Sequence, residues 1–405
     1  MTETNAAKKV VSAKPDLAAL PALFAEIGRS AASREANREH PFAELDLLRR
    51  ARFGALRVAV RHGGAGISLR ELLEQVIALA DADPNVAHIL RNHFNFVERY
   101  AIDPDDPAQR KFNADVVEGA IFSVANTEIG NPNRGPRDYD TLLVPDGDGF
   151  RLTGRKYYTT GCYYADYIAV RSRLPNGENA SAIIPGNREG VDRLDDWNGM
   201  GQRLTGSGTT VLENVRIEPN EVVPDRAGAN YKRPYSSTLS QLFLTTVIAG
   251  ILRSVLRDAT ALLAKRQQVY YYAPTRTPVE DPILQTAIGQ IAANAFAAEA
   301  AVLAAGEALD RAVAARGNPD LAKQAAHEGA IAAAKAKIVV DDVALKTTTL
   351  LFDVGGASAT VQETNLHRHW RNVRTIASHN PASYKAWLVG THLLNGTCLP
   401  TEGFF

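Results

Sequence analysis

The period of apolar positions changes twice along the chain. From residue 16 to about 118 it is helical: Leu17, Leu20, Leu23, Phe24 and Ile27 recur three or four apart, then Leu45, Leu48 and Phe53. A glycine-rich turn at 61–66 (RHGGAG) interrupts this, and Ser68 is placed to cap the helix LRELLEQVIALADA. Asp83-Pro84-Asn85 signals a further start before VAHILRNHFNFVERYA. There His93, Phe96 and Tyr100 share one side, while His88 and His93 are five apart and do not share a face. That spacing predicts a core face with one satisfied histidine rather than a metal pair.

From about 120 to 225 the period becomes two. IFSVAN, DTLLVP, FRLTGRKYYT, DYIAVRSR, SAIIP and TTVLENVRI are rich in Val, Ile, Thr, Tyr and Phe, with Gly, Asn, Asp and Pro between them. From about 236 to 352 the helical period returns in alanine-rich sequence. Three long helices are predicted, over 238–268, 282–317 and 320–354, and the segment after Pro381 supplies a fourth. The pattern predicts an α+β chain: a disordered start (1–15), an N-terminal helical domain (16–118), a middle β domain (119–226) and a C-terminal four-helix bundle with a tail (227–405).

Composition narrows the partners. The 405 residues carry 45 Lys+Arg against 45 Asp+Glu, so the expectation is neither nucleic acid nor a membrane surface. Cys162 and Cys398 give no disulfide framework and no metal spacing. No uninterrupted apolar run approaches about 18 residues, and the first residues lack the features of a secretory signal, so a cytoplasmic protein without a membrane span is expected.

No GxGxxG follows a strand and opens a helix, and no Walker loop, HExxH or GxSxG is present. Chemistry therefore falls to scattered side chains or to a cofactor. Residues 365–395 hold four of the nine histidines, His367, His369, His379 and His392, with Arg368, Arg371 and Arg374. Pro381 is expected at the first helical position and Asn380 at the cap, which sets His379 at a helix N-terminus. The plainer reading of His379 closes a loop. In the β unit, Asn126-Thr127-Glu128, Tyr157 to Gly161 and the loop from Trp197 to Gly208 end strands with hydroxyls and amides. Such groups cradle a planar heterocycle, with Tyr158 packed on its face, although strand ends are often Thr-rich without one.

Four motifs taken together, ANTEIGNPNRG, LTGRKYYTTGCYYAD, WNGMGQRLTGSGTTVLENVRI and FDVGGASA…HRHWRNVR, resemble those of the acyl-CoA dehydrogenase superfamily, over residues ~16–395. The resemblance implies an N-terminal helical domain, a middle β-barrel and a C-terminal four-helix bundle, with a flavin at the barrel–bundle junction and a homotetramer. The dehydrogenases carry a glutamate base in a Glu-Gly-Thr motif after an Arg-Asp pair. Here Arg371-Asn372 leads to His379-Asn380-Pro381, and Asn380 takes the glutamate's place.

WRNVRTIASHNPASYK and DDWNGMGQRLTGSGTTVLENVRIEPNEVV are more similar to the two-component flavin monooxygenase branch typified by dibenzothiophene monooxygenase. On that resemblance His379 matches the catalytic histidine, His93 a pocket histidine, Asn126 a flavin-side polar group and Thr160 a position usually filled by serine. Ile376 stands where a second histidine occurs. Thr127, Tyr158, Thr159, Thr205, Ser207 and Arg371 complete the implied flavin contacts. The same resemblance implies an enzyme using O2 and reduced FMN (FAD the alternative) from a separate flavin reductase. It would oxygenate a small-molecule substrate, most simply an organosulfur compound, through a flavin hydroperoxide, with His379 as general acid and no metal. An FAD-dependent acyl-CoA dehydrogenase and a flavin-free scaffold are the rival readings. The tail TCLPTEGFF, ending in Phe404 and Phe405, is expected against a neighbouring subunit's pocket.

Overall fold

Among the described residues, seven α-helices come first: α1 (Leu20–Gly28), α2 (Ala31–Asn37), α3 (Phe42–Arg50), α4 (Leu69–Ala82), α5 (Pro84–Ile89), α6 (Arg91–Tyr100) and α7 (Pro107–Val117). The computed structural model describes residues 14–102, 107–130, 138–225, 233–401, 403 and 405; residues 1–13 of the expected disordered start, part of the ANTEIGNPNRG motif and Phe404 of the tail lie outside them. The two capping signals operate as expected. Ser68 Oγ accepts the Glu71 N–H at 3.1 Å while Glu71 Oε2 accepts the Ser68 N–H at 2.7 Å, which starts α4. Asp83 Oδ1 accepts the Asn85 and Val86 N–H groups, with Pro84 at the first position of α5.

The strands are β1 (Phe122–Ala125), β2 (Leu142–Asp146), β3 (Gly149–Lys156), β4 (Tyr167–Arg173), β5 (Asn179–Pro185), β6 (Val191–Arg193), β7 (Thr210–Ile217) and β8 (Val222–Pro224). They form one sheet in the order β6-β7-β3-β2-β4-β5-β8, and β1 pairs parallel with β4, Phe122 beside Tyr167. Alternate positions such as Leu143, Leu152, Ile168, Val170, Leu212 and Val215 form its apolar core.

The C-terminal region is helical: α8 (Ser236–Lys265), α9 (Pro282–Ala314), α10 (Pro319–Gly355), α11 (Arg368–Ala377) and α12 (Ala382–Asn395). Asp281 and Asn318 cap α9 and α10, each followed by a proline. Helices α8, α9 and α10 pack on one another, α4 packs on α8 and α9, and α12 lies on α10. Gly250 lets α8 approach α4: a Cβ there would stand 2.5 Å from Ala80 Cβ and 2.6 Å from the Ile77 carbonyl. Helix α8 and the helical stretch Pro282–Gly317 are long and apolar enough to cross a membrane, which the search for uninterrupted apolar runs does not reveal; the apolar window of α8 is 89% buried inside the protein.

A buried ion pair ties the two helical regions together. Arg57 Nε donates to Glu98 Oε1 at 2.6 Å, and the Tyr235 hydroxyl, just before α8, donates to Glu98 Oε2 at 2.8 Å. The described part of the tail lies on its own chain. Leu399 is buried against Ala334 and Val389, its N–H donates to His327 Nε2 at 2.8 Å, and the Phe405 ring covers Lys385 Nζ at 3.7 Å.

Candidate active site between the strand ends and helices α11 and α12

β1 ends at Ala125, which puts Asn126 on the surface of the sheet's edge, its Oδ1 accepting from the Tyr139 hydroxyl at 2.8 Å. Thr127 bridges to Tyr157. Tyr158 is a non-glycine residue at φ 54°, an uncommon conformation that turns its ring outward, 60% exposed, edge-on to Trp197 at 6.3 Å. An exposed aromatic held in a strained turn is a ready platform for a flat ring.

Behind it lies a chain of hydroxyls. Thr205 Oγ1 donates to the Gln202 carbonyl at 2.8 Å, Ser207 Oγ lies 2.7 Å from Thr205 Oγ1, and Thr160 Oγ1 lies 2.7 Å from Ser207 Oγ. Each hydroxyl has a single proton. With Thr205 donating away, Ser207 donates to Thr205 and Thr160 donates to Ser207, so Thr160 presents a lone pair to its other side. Thr159 is turned inward, its Oγ1 held by the Gly208 carbonyl at 2.8 Å and Thr210 Oγ1 at 2.9 Å. Of the expected contacts, Asn126, Thr127, Tyr158 and Thr160 stand at the edge. Thr159, Thr205 and Ser207 support them from behind.

The start of α6 joins this edge to His379. Asn92 Nδ2 donates to the Thr160 carbonyl at 2.9 Å, while Arg91 NH1 points at His379 Nε2 at 3.4 Å and Arg91 Nε donates to the Ser240 carbonyl at 2.9 Å. His379 lies one residue further from the start of α12 than the cap reading places it, in the turn between α11 and α12. Its N–H bonds the Ile376 carbonyl at 3.0 Å, past the C-terminal end of α11. Pro381 takes the cap position of α12, and Asn380 turns away, donating to Gln241 Oε1 at 2.8 Å. A helix C-terminus favours a charged imidazole. His379 is exposed at the surface of this turn, yet desolvation by the protein packed around its imidazole, then Arg91, His88, Lys337 and Lys385, outweigh the helix end and lower its pKa below the ordinary value, which favours the neutral ring.

Two expected site residues are structural. His93 is fully buried, its Nε2 donating to the Gly54 carbonyl at 3.0 Å and its Nδ1 accepting the Phe122 N–H at 3.1 Å. Both ring nitrogens are consumed, so it faces no pocket. Arg371 spends all five N–H groups inside the chain, on His367 Nδ1, both Glu35 oxygens, the Met200 carbonyl and Asn365 Oδ1. It is a strut between α2 and α11 with no donor left for a cofactor. Gly201 packs on the same helix, where a Cβ would stand 2.1 Å from the Arg371 carbonyl. His369 is likewise committed, to Asp258 at 2.9 Å.

Residues with no strong sequence signal complete the site. His88 Nδ1 donates to Gln202 Oε1 at 2.9 Å, and the Gln202 N–H donates to Asn372 Oδ1 at 2.6 Å. Gln241, Arg91, Lys337 and Lys385 gather around His379 and Asn380; the Lys337–Asp341 pair, four apart on α10 at 2.7 Å, is the one cue the sequence offers to them. Buried polar atoms left unmatched include His88 Nε2, Gln202 Nε2, Thr375 Oγ1 and Asn380 Oδ1.

Burial pushes His88, His93 and His369 each down to about 4. In the unfolded chain they titrate near 6.5, so between these values the unfolded state binds more protons, and stability falls as pH falls from about 6.5 to about 4. Each histidine contributes at most about 3 kcal/mol to that loss. The thermal midpoint is expected to drop steadily from pH 7 to pH 5; a flat profile would contradict the buried, neutral assignment.

Known proteins resemble this chain in sequence and fold. Residues 242–384 match the family described as "Acyl-CoA dehydrogenase, C-terminal domain". Across most of its length the chain is 29% identical to a dibenzothiophene monooxygenase of Mycolicibacterium goodii (87% of each chain). It is 27% identical to a probable FMNH2-dependent monooxygenase, SfnC, of Pseudomonas putida (94% of this chain, 95% of that one). The solved structure of the methanesulfinate monooxygenase MsuC from Pseudomonas fluorescens superposes with a TM-score of 0.85 at 27% identity, covering 96% of this chain and 99% of that one. In sequence and fold the chain is similar to the flavin monooxygenase branch of the acyl-CoA dehydrogenase superfamily. Asn380 occupies the position at which the motif comparison places the dehydrogenase glutamate, and its amide is held by Gln241.

Proposed function

We propose that the protein is a two-component monooxygenase that uses O2 and reduced FMN from a separate flavin reductase to oxygenate a small organosulfur compound. The observation that carries this reading is the pairing of a neutral His379 with an amide at Asn380. An amide cannot remove a proton from the carbon next to a thioester, whereas a neutral imidazole joined to the hydroxyl-lined edge through Arg91 and Asn92 suits oxygen transfer.

The residues fit the cofactor. Tyr158 offers a face, Thr160 a lone pair, and the unmatched atoms of His88, Gln202, Thr375 and Asn380 match a flat ring edged with donors and acceptors. Bound reduced FMN would supply the two electrons that activate O2. Asn126 and Thr160 orient the reacting oxygen. Arg91 NH1 and Asn380 Nδ2 each stand 3.4 Å from a ring nitrogen of His379. Both contacts are long, and a neutral imidazole has one lone pair and one N–H, so the ring can turn either toward the oxygen being transferred.

On the same reading the sheet is the middle barrel, and α8, α9, α10 and α12 form the four-helix bundle, with domain boundaries near 118 and 226. The protein would be a cytoplasmic homotetramer. The exposed Ile283 and Phe296 of α9 support a subunit contact on that helix.

The test supplies NADH, FMN and a panel of sulfides and sulfinates, with and without an added flavin reductase. Product is expected only with the reductase. Full turnover without it overturns the two-component reading.

A further inference from the structure

A larger cavity lies on the far side of Asn372 from the loop that runs from Trp197 to Gly208. It measures about 230 Å³, room for several waters at about 30 Å³ each. Its walls come from the turn between α1 and α2, the start of α5, and helices α8 and α11. Ser254 of this wall stands thirteen residues beyond Gln241 on α8, about 20 Å along the helix at about 1.5 Å per residue. An occupant there is out of reach of His379.

Four side chains of the wall, Asn85, Ser254, His369 and Asn372, are no more than 4% exposed. Each keeps a polar atom that makes no hydrogen bond among the described residues. Asn85 Oδ1 accepts the Leu204 N–H at 3.2 Å, and Asn372 Oδ1 accepts the Gln202 N–H at 2.6 Å. Those bonds fix both amides and leave the two Nδ2 groups as donors. The Ser254 hydroxyl is unspent. His369 is neutral and gives its Nε2 proton to Asp258 at 2.9 Å, so Nδ1 keeps a lone pair. Buried polar groups are nearly always matched, so four unmatched ones around one cavity mark a binding site.

The charges select the ligand. Each carboxylate of the wall already has a guanidinium: Glu35 with Arg371 and Asp83 with Arg34, both at 2.7 Å, and Asp258 with Arg368 at 2.5 Å. Arg257 is bound to Asp81. Arg29, exposed at the rim, has no ion pair and no side-chain hydrogen bond among the described residues. One negative charge on the ligand is therefore matched. A phosphate ester, with nearly two charges at pH 7, would face three carboxylates with no second free cation. Two amide donors, a hydroxyl and an acceptor call for several hydroxyls on the ligand, and an alkyl chain would leave them all unmatched.

We propose that this cavity binds a small polyhydroxylated carboxylate, of the sugar-acid class, with its carboxylate on Arg29 and its hydroxyls on Asn85, Ser254, His369 and Asn372. The site goes beyond oxygen transfer and stands whether or not that reading holds.

Calorimetry at pH 7 on the full chain loaded with oxidised FMN tests it with three probes of equal chain length. They are D-gluconate, the neutral polyol D-sorbitol, and hexanoate, which has the charge without the hydroxyls. D-gluconate is expected to bind about ten- to a hundredfold more tightly than either, the range of charge-assisted hydrogen bonds. Arg29→Gln, at an exposed position, should bring D-gluconate down to the level of D-sorbitol with an unchanged thermal midpoint. Ser254→Met, which fills the cavity, should abolish binding of all three. Equal affinity for the three probes, or no measurable binding of D-gluconate, overturns the proposal and leaves the cavity to water. A folded Arg29→Gln or Ser254→Met variant that binds D-gluconate as the wild type does also overturns it. So does displacement of FMN by D-gluconate, which would place the anion in the flavin site.

Discussion

Replacing His379 with alanine is expected to lower oxygenated product by about 10²–10⁴-fold, the usual contribution of a positioned acid–base group. FMN affinity should stay within a few-fold of wild type, because no support of the strand-end edge passes through the imidazole. The hydroxyl chain from Thr160 to Thr205 and the Tyr158–Trp197 contact are built without it. Oxygen consumption should continue, released as hydrogen peroxide instead of product. His379→Gln, which keeps a hydrogen-bonding group, should recover part of the coupling. The measurement is product and peroxide yield per reduced FMN oxidised. Coupling near the wild-type value in His379→Ala would make the residue a loop closure only.

The second large effect lies in the interior. Glu98→Ala is expected to destabilise the protein by about 3–5 kcal/mol, because it strands a buried guanidinium. Glu98 is fully buried between Arg57 and Tyr235, and without it Arg57 keeps the Ile67 carbonyl but loses its counter-charge. Tyr235 leads directly into α8, whose Ser240 and Gln241 hold Arg91 and Asn380. Activity should therefore fall with stability. Replacing both charges, Arg57→Met with Glu98→Met, should cost less than Glu98→Ala alone, since no unmatched charge remains. Denaturation of the single and double variants decides it. A double variant worse than the single one would show that the pair itself carries the stability.

What is legible in the sequence depends on whether the signal is local. Ser68 and Asp83 act on amides two or three residues away, so their caps can be read directly. The longer strands show their alternation. β6 and β8 have three residues each, too few to establish a period. Helix α11 has Val373 and Ile376 among arginines and histidines, and its fit comes from Glu35 and Asp258 far away in the chain. Asn380-Pro381 reads as a cap followed by a first turn, but a bond across the fold to Gln241 wins, and the helix starts later.

The histidines show the same limit. Spacing separates His88 from His93 without saying which faces the site. That is decided by Gly54 and the Phe122 amide, which consume His93, and by Gln202, which leaves one nitrogen of His88 unmatched. The family resemblance implies Arg371 as a cofactor contact; the distant Glu35 makes it a strut. The paired lysines beside His379 lie 48 residues apart, on α10 and α12, and only folding brings them together.

Oxygen transfer from O2 by reduced FMN is tested most directly by mixing the protein with photoreduced FMN, methanesulfinate and ¹⁸O2, omitting any reductase, and determining product mass. One labelled oxygen atom per methanesulfonate formed is the predicted result. Methanesulfonate carrying no label, or no product beside an anaerobic bleaching of bound flavin by an acyl-CoA, would contradict it.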